Sequence, residues 1–471
     1  MRKIILVICL LSSIALASLG ETSYAPFANE NLKQLWNIPV DKIEYQVIKT
    51  YSRGKTTVNE IYYISRPFNR VPTKIFGYYC FPSKKNEKLP AVILSHGGGG
   101  HASLPYAIYW AKRGYAALVI DLPGKGENRA LSRSTGPDMV VANLLKTQPD
   151  LSHNYLIHAV AAIRNGITFL TKQKEVDPER IGMIGLSWGG VLTILTNGQD
   201  DRLKAAVNVF GAGFIPEGCT WEKWFTQMPA LDKKLWDENL DPKNFLAMQH
   251  APILFITGTN DHCYYLPTFQ KSYAELGSIE AKILLVPNLR HRFLASSLLP
   301  ASAWIDDKIK NKKTSSAGWS YPTITFETCT LEGKNILISV KAIGRNKIKS
   351  GKIYYSLGGP YQWTTRKWKE IPSLKHKDNI YYFSIPAKFV APEIMFYVSA
   401  RDNKNGEVST LVRSIFAVKF KNGGITYALS SPIMKMYRHE APIKLFNGKN
   451  SDDYYFSCKK GDKYFQALDK K

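Results

Sequence analysis

The segment Ile181-Gly182-Met183-Ile184-Gly185-Leu186-Ser187-Trp188-Gly189-Gly190 constrains this chain more than any other. An apolar run ends in Gly-x-Ser-x-Gly, and a helix-compatible stretch follows over 191–196. That order predicts a strand, a sharp turn and a helix, with the serine at the turn. Gly185 and Gly189 lack Cβ atoms and so leave room for the tight backbone. The turn projects the Ser187 hydroxyl beyond the sheet. It also aims the Trp188 N–H, at the start of the helix, toward the position of an oxyanion.

A serine hydroxyl is a poor nucleophile near neutral pH. It needs a base within hydrogen-bond reach and a third group to orient that base. On a strand-turn-helix serine the partners are expected downstream, acid before histidine, at the ends of later strands. The apolar run 253–257 leads into Gly258-Thr259-Asn260-Asp261, and the run 282–286 into Pro287-Asn288-Leu289-Arg290-His291. These positions make Ser187 the nucleophile, His291 the general base and acid, and Asp261 the group that fixes the His291 tautomer. His262 is a rival base on the wrong loop. Taken singly, Asp261 also reads as a turn residue and His291 as a surface histidine between two arginines. Taken in order, they read as a triad. A second oxyanion donor is expected from Ser95-His96-Gly97-Gly98-Gly99-Gly100 after the first parallel strand, with Gly98 the best single choice and His96 structural.

The runs 90–94, 115–120, 180–184, 205–209, 253–257 and 282–286 are continuously apolar. Strands of that kind are covered on both faces, which predicts a mostly parallel sheet flanked by helices. Amphipathic helix is expected over 154–171, and a short helix over 301–310 closes the region. Three β-rich segments over 42–81 precede the parallel part and read as antiparallel additions to the same sheet. Two insertions, 123–151 and 214–249, leave the sheet at strand C-terminal ends, where ligands bind in open α/β folds. The second carries Trp221 and Trp224, candidates for stacking on a sugar ring; a lid core is the plainer reading of its aromatics. Arg129, Arg133 and Asp138 in the first are candidate polar contacts, or solvated loop charges.

A chain of 471 residues accommodates two domains. Residues 1–20 read as a secretory signal, with Arg2 and Lys3 before an apolar core too short for a bilayer span. Residues 21–310 read as an α/β catalytic domain and 311–319 as a polar linker. Residues 320–424, alternating and punctuated by Gly and Pro, read as an all-β sandwich-like domain. The basic tail 425–471 shows no regular pattern. Tyr361, Trp363, Trp368, Tyr381 and Tyr382 are either sandwich core or surface aromatics. Without Cys9 in the signal, five cysteines remain, so at least one is unpaired within the chain.

The formal net charge is +25, from 63 Lys and Arg against 38 Asp and Glu. These charges are dispersed rather than gathered on one motif, which argues against nucleic acid as the partner. A solvated basic surface is the plain reading; attraction to an acidic polysaccharide or cell envelope is the sharper one. No metal-ligand spacing, dinucleotide loop or P-loop is present, so no cofactor is expected.

Over residues 89–299 the chain resembles the α/β-hydrolase superfamily. It is most similar there to the secreted acetyl xylan esterase and cephalosporin-deacetylase-like group, with dienelactone hydrolases and prolyl-oligopeptidase-type enzymes as relatives. The resemblance rests on the Ser95–Gly100 loop, Asp121-Leu122-Pro123-Gly124-Lys125-Gly126, Gly136-Pro137-Asp138, the Ile184–Gly190 turn, Val209-Phe210-Gly211-Ala212-Gly213-Phe214 with Trp221 beyond, and Thr257–His262. It implies a cofactor-free Ser187/Asp261/His291 set. It departs at Trp188, where the best-known acetyl xylan esterases carry Gln, and at Asn288-Leu289-Arg290, which lacks the usual His-Gly pair. The expectation is therefore a secreted serine esterase acting on small acyl esters of carbohydrates. A prolyl-oligopeptidase-type peptidase, or a glycan- or envelope-binding protein on a hydrolase scaffold, is the alternative. A peptidase of that type usually carries a propeller before the catalytic domain, and fewer than about 70 residues separate the signal from the first parallel strand here, too few for repeated blades.

Overall fold

The computed structural model describes residues 30–84, 87–125, 131–292, 294–310, 321–359, 362–390, 393–420, 425–430, 432–434, 443–445 and 454–455. The signal segment 1–20, the linker 311–319, Arg129 and Tyr361 lie outside these described residues. The chain divides into two units, Met1–Asn37 and Ile38–Lys471. In the first, Glu30–Leu35 forms a short helix, α1.

In the second unit, strands β1 (Tyr45–Arg53), β2 (Thr56–Phe68), β3 (Val71–Pro82), β4 (Leu89–Ser95), β5 (Ala116–Ile120), β6 (Val176–Leu186), β7 (Leu203–Val209), β8 (Ile253–Gly258) and β9 (Ala281–Val286) form one sheet. Its order is β1-β2-β3-β5-β4-β6-β7-β8-β9. The first three strands are antiparallel, and β3 pairs antiparallel with β5. From β5 to β9 every neighbouring pair is parallel. The split is the one the patterning predicts. Strand β1 is exposed along most of its length and β2 largely alternates buried and half-buried residues, whereas β5 and β8 are buried throughout. The order reverses direction at β4: the chain moves outward to β5 and returns to β6 on the other side. The loops after β4 and β6 therefore face each other across a switch point, the place where open α/β sheets hold ligands.

The helices of this part are α2 (Leu104–Lys112), α3 (Val141–Leu144), α4 (Tyr155–Thr171), α5 (Trp188–Asn197), α6 (Glu222–Gln227), α7 (Ala230–Asn239), α8 (Leu266–Ala274) and α9 (Ala295–Ile305). Helix α4 is not amphipathic in effect; it is buried on nearly every side. The segment before β1 crosses its outer face, where the Thr168 hydroxyl donates to the Val40 carbonyl (2.8 Å) and Arg202 donates to Thr168 (2.8 Å). Helix α9 starts six residues earlier than the patterning suggests. Pro300 lies inside it. A wider π-type turn, Asp306–Lys310, continues it. Trp304, Ile305 and Ile309 fill the core beside Val92 and Val207.

Beyond the linker, strands β10 (Thr323–Glu332), β11 (Asn335–Ile343), β12 (Ile348–Leu357), β13 (Lys369–Pro372), β14 (Lys375–Lys377), β15 (Ile380–Pro386), β16 (Glu393–Asp402), β17 (Glu407–Ser409) and β18 (Arg413–Phe420) form antiparallel sheets. One runs β10-β11-β15-β14; the other runs from β13 through β12 and β16 to β18, with β17 against β16. Ile336, Ile338, Phe383, Ile353, Phe396 and Val398 from the two sheets share one buried core. The tail, expected to lack pattern, contributes strands β19 (Ile425–Ser430), β20 (Ile443–Leu445) and β21 (Tyr454–Tyr455), which extend the second sheet through β18 and β19. Backbone pairing to β18 supplies an order that the tail's basic, aromatic composition does not signal. Trp363, Trp368 and Tyr381 are buried rather than displayed.

This β region docks on the open edge of β9. Leu285 N–H donates to the Ser409 hydroxyl (3.1 Å) and the Tyr397 hydroxyl to Leu285 O (3.4 Å). The fully buried Gln270 of α8 spans the junction. Its Nε2 donates to Ile433 O (2.7 Å) and its Oε1 accepts from Val412 N (2.6 Å). An uncovered strand edge invites pairing with other chains, and here the β region covers it.

Candidate active site

Ser187 sits at the end of β6 with φ +58° and ψ −117°, a strained conformation for a residue with a side chain. Close packing enforces it. A Cβ on Gly185 would lie 1.8 Å from Gly189 O, and one on Gly189 would lie 2.4 Å from Ser95 O. Ser187 N–H donates to Val209 O (2.7 Å), tying the turn to the end of β7. Trp188 opens α5, so its N–H has no acceptor within the helix. The glycine loop after β4 lies directly on this turn. Gly97 meets the serine, since a Cβ there would be 2.8 Å from Ser187 Cβ. Gly98 faces Trp188, with a Cβ position 3.4 Å from its Cδ1. His96 locks the loop: its Nδ1 bonds Gly97 O (2.7 Å) and its Nε2 accepts from Leu122 N (3.0 Å).

The downstream loops meet this turn. His291 Nε2 lies 2.8 Å from Ser187 Oγ, and His291 Nδ1 lies 3.0 Å from each carboxylate oxygen of Asp261. Asp261 is fully buried. Besides the imidazole, it accepts from Cys263 N (2.7 Å), Tyr264 N (3.2 Å) and the Thr257 hydroxyl (3.3 Å), partners that a buried carboxylate requires. Burial works against a charged imidazole at His291. The hydrogen bonds to Asp261 and Cys263 and the Asp261 charge outweigh it, and the His291 pKa is pushed up to about 9. The Ser–His–Asp arrangement can move a proton from hydroxyl to imidazole while the carboxylate holds the ring.

His262, the rival base, is exposed on the acid loop, its ring 5.9 Å from that of His291. Burial lowers its pKa, and Arg290 and His291 add to that against the pull of Asp261. No metal set is evident in the sequence, yet folding brings donor atoms of Asp261, Cys263 and His291 within 4.8 Å of one another. Asp261 and His291 are already committed to each other.

An aromatic cluster surrounds the site. Trp221 lies 5.0 Å from Trp188 and 5.3 Å from Tyr264, ring to ring. Phe210 packs 4.9 Å from the His291 ring. Trp224 stands apart from this cluster, 41% exposed, with Lys223 Nζ 5.2 Å from its ring. Trp236 and Phe225 form a lid core, 4.6 Å apart, and Trp236 Nε1 donates to Leu144 O (2.8 Å) in the other insertion. Of the two polar candidates there that are described, Arg133 pairs with Glu60 (3.1 Å) and covers the Phe76 ring. Asp138 accepts from Lys125 N (2.6 Å). Both hold loops together.

Two residues beside the triad carry no signal that a motif supplies. Asn260 precedes the acid, and Asn288, at φ +58°, stands on the loop that ends in the base. Asn260 Nδ2 donates to Arg366 O (2.6 Å), Asn288 Nδ2 donates to Trp368 O (2.9 Å), and Asn288 Oδ1 accepts from Trp368 N (2.8 Å).

The comparisons with known proteins agree with the fold. Residues 18–215 match the acetyl xylan esterase (AXE1) family model and residues 153–310 the prolyl oligopeptidase family model. Ser187 falls in both matches, and Asp261 and His291 only in the second. The chain is 23% identical over 250 residues to the acetyl esterase Axe7A of Xylanibacter ruminicola, which covers 50% of this chain and 56% of that protein. It is 25% identical over 217 residues to the uncharacterized peptidase YuxL of Bacillus subtilis, covering 43% of this chain and 31% of that one. The chain thus spans about a third to about a half of the length of these curated relatives. Acetyl xylan esterase 1 from Thermoanaerobacterium sp. JW/SL YS485 superposes with a TM-score of 0.50 at 16% identity, over 59% of this chain and 93% of that one. Among the described residues, no helix is long and apolar enough to cross a membrane. The β4–β6 switch point, the strand-turn-helix serine and these matches together give the chain an α/β-hydrolase fold, similar over residues 18–215 to acetyl xylan esterases and over residues 153–310 to the prolyl oligopeptidase family.

Proposed function

We propose that this protein is an exported serine esterase that removes acetyl or similar small acyl groups from carbohydrates. One observation carries the mechanism: a single imidazole bonds the Ser187 hydroxyl at Nε2 (2.8 Å) and the buried Asp261 carboxylate at Nδ1 (3.0 Å). Ser187 Oγ attacks the ester carbonyl as His291 Nε2 takes its proton. The N–H groups of Trp188 and Gly98 hold the oxyanion. His291 passes the proton to the leaving sugar oxygen, and the C–O bond to the sugar breaks. Water then attacks the acyl-serine by the same route, returning free acid and Ser187. Asp261 holds the ring with Nδ1 protonated throughout. The substrate class rests on the acetyl xylan esterase match over 18–215. Trp221, in contact with Trp188, supplies a face on which a sugar ring stacks; Trp224 is assigned a weaker part at the rim. The basic surface favours acidic polysaccharide carriers of the ester.

The peptidase reading has its own support, because the acid and base fall within the prolyl oligopeptidase match. A single panel separates the readings. Purified full-length protein is assayed on acetylated xylan, acetylated pectin, methyl glucuronate esters and aminoacyl substrates, each beside Ser187→Ala. Acetate release that vanishes in the variant supports the esterase. Aminoacyl cleavage without acetate release establishes the peptidase. Glycan retention with no Ser187-dependent turnover points to a binding protein.

A further inference from the structure

The oxyanion side of the site is held from within the α/β region; the acid and base loops pack on each other, the acid loop bonds the 214–249 insertion, and both loops are also gripped from outside that region. The segment Thr364–Trp368 belongs to the β region, between β12 and β13. It lies along both loops. Asn260 Nδ2 donates to Arg366 O (2.6 Å) and Thr364 O (3.3 Å), and Asn288 and Trp368 exchange two hydrogen bonds. The segment is itself anchored. The buried Arg366 guanidinium donates to Leu357 O (2.8 Å) and Gly359 O, and the Trp368 ring packs 5.2 Å from Tyr397 on β16. The two loops are also tied to each other. Asn288 N donates to Thr259 Oγ1 (2.8 Å), that hydroxyl donates to Asn260 Oδ1 (2.8 Å), and Asn260 N donates to Leu289 O (3.0 Å). Asp261 follows Asn260 directly and His291 follows Asn288 by three residues.

We propose that Asn260 and Asn288 are positioning residues, through which the β domain sets the acid and base loops in register so that Asp261 and His291 align on Ser187. The inference rests on the serine-esterase reading above. Its physical basis is geometric. Both loops lie at one end of the sheet, and a displacement of about 1 Å at a base costs on the order of a hundredfold in rate. Each carboxamide satisfies backbone groups that are buried in the junction, so removing it frees the loop and leaves those groups unpaired. The β domain is thereby a part of the hydrolytic apparatus rather than an appended module.

Gln270 provides the control. It makes the same two-bond carboxamide contact with β-domain backbone, to Ile433 O and Val412 N, but from α8 and away from both loops. The experiment uses the full chain with p-nitrophenyl acetate, and counts competent sites by titration with a fluorophosphonate, so that misfolded protein is excluded. The variants are Asn260→Ala, Asn288→Gly, which keeps the positive φ accessible, and Gln270→Ala. The expected result is a per-site kcat at least fivefold lower for Asn260→Ala and Asn288→Gly, with KM within about twofold of the parent. Gln270→Ala is expected to melt at lower temperature with per-site kcat within about twofold. Asn288→Asp keeps the shape and the acceptor but not the donor; should Asn288→Gly fail to accumulate, the same fivefold loss is expected of it. Losses under fivefold in the loop variants, or an equal loss in Gln270→Ala, overturn the proposal. A parent without turnover, or a Ser187→Ala variant that keeps it, instead overturns the esterase reading, and this inference with it.

Discussion

The two halves of the site share one means of construction and differ in a second. The nucleophile half, at the ends of β4 and β6, is fixed by the absence of side chains: Gly97, Gly185 and Gly189 let three backbones approach until nothing else fits. The acid–base half, at the ends of β8 and β9, uses the same device, since a Cβ on Gly258 would lie 2.0 Å from Leu289 O, and adds side chains to it, two asparagines bonded to the backbone of the β region. The serine turn of the first half can be read from a five-residue motif, although Gly97 reaches it from the loop after β4. The second half adds hydrogen bonds to a segment more than 70 residues away in sequence. Glycine packing thus serves both halves, and the asparagine bonds to the β region are particular to the second.

Perturbing each half tests this contrast. The largest effect belongs to Ser187→Ala, expected to lower kcat on small esters by roughly 10⁴–10⁶-fold, measured by acetate release with stability checked in parallel. Asp261→Asn follows, at roughly 10³–10⁴-fold, because the ring loses its orienting charge. The same substitution sharpens the pH dependence. The base works only unprotonated, and His291 is pushed up to about 9 by Asp261 and Cys263. In the parent, kcat/KM should therefore climb from pH 7 toward 9 and then level. In Asp261→Asn, the midpoint of that climb should move to lower pH. Gly97→Ala places a Cβ 2.8 Å from that of Ser187 and is expected to cost on the order of a hundredfold in kcat. A variant that keeps full activity would break the claim that the nucleophile half tolerates no added atom. The smallest effects lie at the rim. Trp221→Ala should raise KM for acetylated oligosaccharides about fivefold, near 1 kcal/mol of stacking, and leave p-nitrophenyl acetate little changed. Trp224→Ala should stay within about twofold on both.

Legibility follows the same division. Ser187, Asp261 and His291 can be picked out because strand ends recur in a fixed order, and continuous apolar runs identify the strands. The glycine loop is equally visible, although its contacts distribute differently: Gly97 meets the serine and Gly98 meets Trp188. Asn260 and Asn288 leave no trace because their partners are main-chain groups, which no residue type advertises. Phe210 against His291 is hidden for a related reason, since a ring after a buried strand reads as ordinary core. The burial of α4 and the strands of the tail depend on which distant segment lies alongside, and a local pattern does not carry that information. Trp224, the match of Trp221 in composition, lies outside the aromatic cluster because α6 turns it toward solvent.

The central claim is that one serine is activated by one imidazole held by one carboxylate. It is tested most directly by incubating the full-length protein with a fluorophosphonate and locating the adduct by peptide mass spectrometry. The expected result is one equivalent of label on Ser187, no label in Ser187→Ala, and labelling slowed by several hundredfold or more in His291→Ala. Label on a different residue, or undiminished labelling without the imidazole of His291, would contradict it.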